Sequence, residues 1–391
     1  VNTSSALPRS FRLLVTGGGT GGHTYPALTA IQTLQGRLAD AGSTLDVLWI
    51  GTAEGLEARV APAAGIAFRT VATGKIRRSA NPLKMMSASN VKDMARVPLG
   101  VAQARTIVSG FQPDVVLATG GYVAVPAGLA ARLCRRPLVL HEQTVRLGLA
   151  NRKLASSATR IAVSSESSLA LLPANVRKRA VVTGNPVRPE VLGGHADKAV
   201  EALNLYGFDR RLPTVYVTGG AQGAQQINAV IRDVLPWLLS HANVIHQCGP
   251  ANVDELRVAA AGLDPVLAGR YHLTGFVGPE LPDVLALADI VVSRSGAGTL
   301  AELTALGKTA VFVPLATSAG NEQAHNARHL ADAGAALALL GEVTGQALER
   351  AVGPLLTDPT LRAAMAQRAR AHGRPDAADR LVDVVLSAAA G

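Results

Sequence analysis

His23 closes the stretch "TGGGTGGH", which holds five glycines among residues 16–22. Glycines at a strand-to-helix junction leave backbone N–H groups bare, so an anion can approach them. The partial positive charge of a helix start holds that anion and disfavours imidazolium. Neutral imidazole is a general base near neutral pH, so the stretch suits proton removal beside a bound anion. A capping or packed histidine is the competing reading. Two further loops have the same character: "GGAQGAQ" at 219–225, and "SRSGAGT" at 293–299 with Glu302 one turn on. Any one of them could be a close-packed turn; three are harder to assign to packing alone.

Several anion-binding motifs are excluded. No Gly-x-x-x-x-Gly-Lys-Ser/Thr pattern supplies a P-loop. Gly17, Gly19 and Gly22 approach a dinucleotide fingerprint, but Gly51 and Thr52 stand where its ribose-binding acid belongs, which disfavours NAD. No Asp-x-Asp tripeptide occurs to hold a metal on a diphosphate. A diphosphate here would be neutralised by helix starts and N–H groups, with no metal and no cofactor.

The elements that must position these loops follow one rhythm, given twice. "FRLLVTGGG", "LDVLWIG", "DVVLATGGY", "PLVLHEQ" and "RIAVSS" read as buried strands separated by helices, the first helix running from about residue 25 to 41. "PTVYVTGG", "NVIHQCG", "YHLTGFV", "DIVVSRSGAG" and "AVFVPLA" repeat the plan. Alternation of this kind predicts an α/β protein with two Rossmann-like, doubly wound parallel-sheet domains facing a cleft. The junction is expected near "GNPVRPEVLGGHADKA", giving domains 10–187 and 188–391, with the last helix free to pack back on the first domain.

Of 391 residues, 48% are hydrophobic and 17% charged, which suits a large core. The two cysteines, Cys134 and Cys248, lie outside any CxxC pair, so neither zinc nor a disulfide framework is expected, and a reducing cytoplasm is the natural setting. No apolar run is long enough to span a bilayer, and the first ten residues read as a loose tail rather than a signal peptide. Residues 1–187 carry 22 Lys and Arg against 8 Asp and Glu; residues 188–391 carry 16 against 20. The basic half seeks an anionic partner, and with no nucleic-acid-binding pattern present, a membrane or a phosphorylated substrate is favoured. Residues 74–100 concentrate this character. Lys75, Arg77, Arg78, Lys84, Lys92 and Arg96 face a single acid, Asp93, and Met85, Met86 and Met94 are three of the four methionines. Flexible apolar and basic side chains together suit shallow binding to anionic lipid.

"TGGGTGGHTYPALTA" resembles the N-terminal signature of the MurG family, peripheral membrane N-acetylglucosaminyltransferases that convert lipid I to lipid II in peptidoglycan synthesis. "PDVVLATGGYVAVPAGLAA", "HEQTVRLGLANR", "GNPVR", "GGAQGAQQIN", "SRSGAGTLAEL" and "EQAHNA" follow in the family's order. The resemblance implies the GT-B architecture, a UDP-GlcNAc donor, an undecaprenyl-diphosphate-linked acceptor and a place on the inner face of the plasma membrane. By position, Thr20, Gly21 and Gly22 would face the acceptor diphosphate and the reacting sugar, and His23 would be the base. Arg188, Gln222 and Gly223 would contact the donor diphosphate. Backbone atoms of Val277 would read the uracil. Ala297, Gly298 and Thr299 would hold donor phosphates, Glu302 the ribose, and Gln323 and Asn326 the GlcNAc hydroxyls. Glu142, at the end of "PLVLHE", could orient His23 or the acceptor, or be a carboxylate bonded to backbone N–H groups.

Two positions depart from the family. Thr144 stands where Asn is usual, keeping a hydroxyl but losing an amide, and Ala221 stands where Ser is usual, keeping only its N–H toward a phosphate. Both bear on the acceptor more than on the donor. The alternatives are therefore a paralogue acting on another lipid-linked or antibiotic acceptor, a GT-B-type UDP-GlcNAc 2-epimerase, and a non-catalytic nucleotide-binding module.

Overall fold

Strands buried on both faces read as near-continuous apolar runs, and the central strands do so where they enter the core. β1 (Ser10–Thr16) is buried from Leu13 onward, and β4 (Val115–Ala118) is buried along its whole length. A computed structural model describes residues 9–74, 88–316, 318 and 321–391. Residues 1–8 of the expected tail, and residues 75–87 of the basic methionine-rich stretch, lie outside the described residues. Contacts divide the chain into two compact units, Val1–Pro186 with Pro375–Gly391, and Val187–Arg374.

The N-terminal unit carries a seven-stranded sheet in the order β3-β2-β1-β4-β5-β6-β7. Its further strands are β2 (Thr44–Gly51), β3 (Ala67–Thr70), β5 (Leu138–Glu142), β6 (Arg160–Val163) and β7 (Ala180–Val182). All pairings are parallel. The chain runs outward from β1 through β2 to β3, then returns to place β4 on the other side of β1. The gap beyond the carboxyl ends of β1 and β4 is thus a topological switch point, where such sheets bind ligands. On one face, the helix Gly21–Asp40 packs Ala27, Ile31, Leu34 and Leu38 into a core shared with Leu381 and Val385 of the helix Ala377–Ala389. Arg37 Nη1 ties the same two helices by a 2.7 Å bond to Asp383 Oδ1. The helices Ala88–Phe111 and Ala124–Leu133 cover the other face.

The C-terminal unit repeats the scheme with six parallel strands in the order β10-β9-β8-β11-β12-β13. These are β8 (Thr214–Thr218), β9 (Asn243–Gln247), β10 (Tyr271–Thr274), β11 (Ile290–Ser293), β12 (Thr309–Phe312) and β13 (Leu337–Ala338). Its switch point lies between β8 and β11. Among the described residues, no helix is long and apolar enough to cross a membrane.

Candidate active site

At the N-terminal switch point, the helix after β1 begins at Gly21 with Thr20 as its N-cap. It therefore starts about four residues earlier than expected and takes Gly21, Gly22 and His23 into its first turn. First-turn amides have no partner within a helix. The Thr20 side chain does not cap them, and among the described residues nothing accepts from the amides of Gly21 or Gly22. The His23 amide turns back to the Thr20 carbonyl at 3.2 Å. The anion-ready donors are thus Gly21 and Gly22.

The preceding glycines serve close packing. A Cβ on Gly18 would overlap the carboxylate of Glu57, and one on Gly17, at φ +148°, would overlap the Thr119 hydroxyl. Glu57 is fully buried and accepts from Gly19 N at 2.9 Å, Thr52 N at 3.0 Å and Thr52 Oγ1 at 2.9 Å. It begins a short helix, Glu57–Ala63, and gave no signal in the sequence. Because it uses the Gly19 amide, it moves the anion site off the loop and onto the helix start.

His23 is half-buried, and its Nδ1 lies 2.9 Å from the Thr119 carbonyl and 3.0 Å from Gln143 Oε1. Nε2 has no partner among the described residues. Gln143 is itself buried, with Nε2 at 2.7 Å from the Thr119 carbonyl and 3.1 Å from His141 Nδ1. The expectation that Glu142 orients His23 is corrected here: Gln143 does so. Successive side chains of a strand point to opposite faces, so at the end of β5 residues 141 and 143 share a face and 142 is turned away. Glu142 is a buried carboxylate that accepts from Thr144 N at 3.1 Å, Gly148 N at 2.8 Å and Asn151 Nδ2 at 3.0 Å. The Thr144 hydroxyl lies 2.8 Å from Glu142 Oε1 and 2.7 Å from the Arg146 carbonyl, so it supports this local network.

In the C-terminal unit, the helix Gln225–His241 follows the loop after β8, and Ala297–Leu306 follows β11. Neither has a side-chain N-cap, which leaves first-turn donors open as in the first unit. Ala221 and Gln222 are exposed. Gly223, at φ +75°, passes so close to the Cys248 carbonyl that a Cβ would overlap it. Nothing lies within 4 Å of the place a Cβ would take on Gly298, so the start of the second helix, with Ala297 and Thr299 beside it, opens to free space. Glu302 and Arg188, expected on ribose and diphosphate, are brought together: Arg188 Nε donates to Glu302 Oε1 at 2.7 Å.

The Val277 N–H donates to Gln247 Oε1 at 3.1 Å. That narrows the expected backbone reading of a base to the carbonyl. Gln247 also accepts from the Tyr216 hydroxyl at 2.9 Å and donates to the Gly220 carbonyl at 2.9 Å, so it fixes the β8 loop. Gln323 and Asn326, on the helix Glu322–Asp332, both meet the Ser295 turn: the Gln323 carbonyl accepts from Ser295 Oγ at 2.8 Å, and Asn326 Nδ2 donates to the Ser295 carbonyl at 3.2 Å. Gln323 Oε1 accepts from Leu315 N at 3.0 Å. Arg294, also without a sequence signal, places Nη1 within 3.0 Å of Gln226 Oε1 and the carbonyls of Val313 and Pro314, joining one helix start to the end of β12.

Two buried histidines make the fold acid-sensitive. Burial lowers His141 to about 4, a shift opposed by its bond to the Gly184 carbonyl and helped by the charge of His23. Burial also lowers His246 to about 4. Above pH 6.5 both are neutral whether folded or not, and their stabilisation is complete. Below it the unfolded chain binds more protons, so stability falls by about 1.4 kcal/mol per pH unit for each histidine until the folded group titrates. Thermal midpoints should therefore drop steadily from about pH 6.5 to 4.5, above the range of ordinary carboxylates. Flat midpoints across that interval would contradict the assignment.

Two doubly wound parallel-sheet domains, each with uncapped helix starts at its switch point, form the GT-B architecture, and the family matches make it that of a glycosyltransferase. Residues 13–163 match the glycosyltransferase family 28 N-terminal domain, and residues 214–381 match the glycosyltransferase family 28 C-terminal domain. The chain is 36% identical over 385 residues to the UDP-N-acetylglucosamine–N-acetylmuramyl-(pentapeptide) pyrophosphoryl-undecaprenol N-acetylglucosamine transferase of Desulforudis audaxviator, covering 96% of this chain and 97% of that protein. The crystal structure of Acinetobacter baumannii MurG is similar with a TM-score of 0.74 and 28% identity, over 96% of this chain and 99% of the other. A UDP-GlcNAc 2-epimerase from Neisseria meningitidis, at 17% identity and a TM-score of 0.63 over 96% and 99% of the two chains, shares the fold alone. The chain belongs to glycosyltransferase family 28 and, within it, to the MurG family.

Proposed function

We propose that the protein is an inverting glycosyltransferase that moves GlcNAc from UDP-GlcNAc to the MurNAc of lipid I, forming lipid II. The observation that carries this reading is the end-to-end likeness, 36% over 96% of the chain, to a protein named for that transfer. His23 Nε2, directly or through a water, takes the proton of the acceptor hydroxyl. The freed oxygen attacks the anomeric carbon of GlcNAc from the face opposite the diphosphate, and UDP departs with the bonding electrons. The amides of Gly21 and Gly22, with Thr20, receive the acceptor diphosphate. Charge developing on the donor diphosphate is stabilised by the loop at Gln222 and by the helix starts at Gln225 and Ala297–Thr299, the Gly223 amide being held by the Gly220 carbonyl at 2.9 Å. Arg188 meets that charge while holding Glu302, whose second oxygen faces the ribose hydroxyls; the Val277 carbonyl reads the uracil. Gln323 and Asn326, which shape the Ser295 turn, flank the sugar.

The acceptor is lipid-linked, and residues 74–100 bring the protein to an anionic membrane on its cytoplasmic face. Each basic side chain near such a surface contributes about 1 kcal/mol. One experiment tests both parts. Lipid I is presented in vesicles with or without anionic lipid, radiolabelled UDP-GlcNAc is added, and product and sedimented protein are measured. Transfer to lipid I, with more protein bound to the anionic vesicles, is expected. Label on other acceptors alone would point to a paralogue, UDP-ManNAc from donor alone to an epimerase, and equal, negligible sedimentation would remove the membrane role.

A further inference from the structure

The hydrogen bonds behind His23 form a chain whose proton positions follow from its two ends. A backbone carbonyl can only accept. The Gly184 carbonyl lies 3.2 Å from His141 Nε2, so that nitrogen carries the proton. His141 is fully buried, which keeps the ring neutral, so its Nδ1 is a bare acceptor. The Gln143 atom 3.1 Å from it must then be the NH2 group, and the Thr119 carbonyl, 2.7 Å from the same atom, requires the same orientation. The amide oxygen of Gln143 is thereby turned to His23 Nδ1 at 3.0 Å, where the Thr119 carbonyl also lies at 2.9 Å. Two acceptors converge on that nitrogen, so it holds the proton of the neutral ring, and Nε2 is left with its lone pair. The Thr119 hydroxyl donates back to the His23 carbonyl at 2.9 Å, fixing the helix start against the same loop. Gly120, at φ +104°, leaves room for the ring: a Cβ there would sit 3.0 Å from His23 Nδ1.

We propose that Gln143, oriented by His141 and the Thr119 carbonyl, is a positioning residue that holds His23 as the Nδ1–H tautomer with Nε2 bare. The inference rests on the reading of His23 as the base, and it adds how the base is kept in its working form. When Nε2 takes a proton, the imidazolium keeps its Nδ1–H bonds to both acceptors, and no proton passes to Gln143 or His141. Because Thr119 still holds Nδ1 when Gln143 is removed, the loss should be that of one hydrogen bond rather than of the base, about tenfold in kcat.

The test combines nitrogen NMR of full-length protein labelled with 15N-histidine and steady-state kinetics. The His23 resonances are assigned by their disappearance in His23→Ala. In the wild type, Nδ1 should resonate as a protonated nitrogen and Nε2 as a bare one at a pH where the ring is neutral. In Gln143→Met the two tautomers should mix, and kcat should fall about tenfold while KM for UDP-GlcNAc stays within about twofold. A wild-type proton on Nε2, or an even mixture, would overturn the proposal without any variant. So would an unchanged tautomer in Gln143→Met. Mixed tautomers with unchanged kcat would leave the lock standing and remove His23 from the role of base, which separates the two ideas.

Discussion

His23→Ala is expected to lower kcat by about a hundred- to ten-thousand-fold, the range a general base contributes, while UDP binding survives. The geometry separates this loss from unfolding. His23 is half-buried, and removing it deletes only the Nδ1 bonds to Thr119 and Gln143, about 1 kcal/mol each in net stability. The thermal midpoint should therefore move by a few degrees, too little to empty the folded state at assay temperature. The donor-phase helix starts belong to Val187–Arg374, whereas His23 lies in the other unit, so the affinity for UDP measured by calorimetry should be unchanged. A histidine that only packs would show the reverse: a large drop in midpoint with much of the transfer rate kept. Full activity in His23→Ala would refute the assigned base.

The central strands of both sheets were legible because parallel strands buried on both faces are apolar runs. Leu13–Val15, Val115–Ala118 and Ile290–Val292 announce themselves as runs. The edge strands β3, β7 and β13 did not, since "AFRT", "AVV" and "LA" are short and none of their residues is fully buried. At the site, glycine loops and the histidine behind them carry a local signature, and Gly21, Gly22 and His23 needed only the helix to begin earlier. What escaped was long-range. Thr119 is 96 positions from His23 and Gln143 is 120, so no local spacing could join them. Glu142 drew the eye as the charged group of "HEQ", yet strand alternation gives His23 its neutral neighbour. Glycine richness also overstated the anion cradle: Gly17 and Gly18 are small because Thr119 and Glu57 occupy the space above them.

Glu57→Ala should then be among the most destabilising single changes in the N-terminal domain, even though nothing local marks the residue. Its buried carboxylate accepts from Gly19 N, Thr52 N and Thr52 Oγ1 at the edge of the loop. Truncation leaves two backbone donors without a partner and a void beneath the loop. An unsatisfied buried donor costs about 1–3 kcal/mol; with Gly19 exposed and Thr52 half-buried the two fall at the low end, and the void adds to them, so a loss of roughly 2–4 kcal/mol follows. For a domain of this size that is a fall on the order of 10 °C in its thermal midpoint. Glu57→Gln keeps the volume but turns an NH2 group toward one of the N–H donors, so about half that loss is expected. Activity should suffer even where Glu57→Ala remains folded. Freed from the carboxylate, the Gly19 amide lets the loop move, and with it Thr20 and the amides of Gly21 and Gly22; KM for the acceptor should rise more than KM for UDP-GlcNAc. Calorimetric scans of the two variants beside the wild type, with kinetics at a temperature where all are folded, measure both effects. A Glu57→Ala protein with the wild-type midpoint would mean that the loop holds its shape without the carboxylate, and that its amides are free to meet an anion after all.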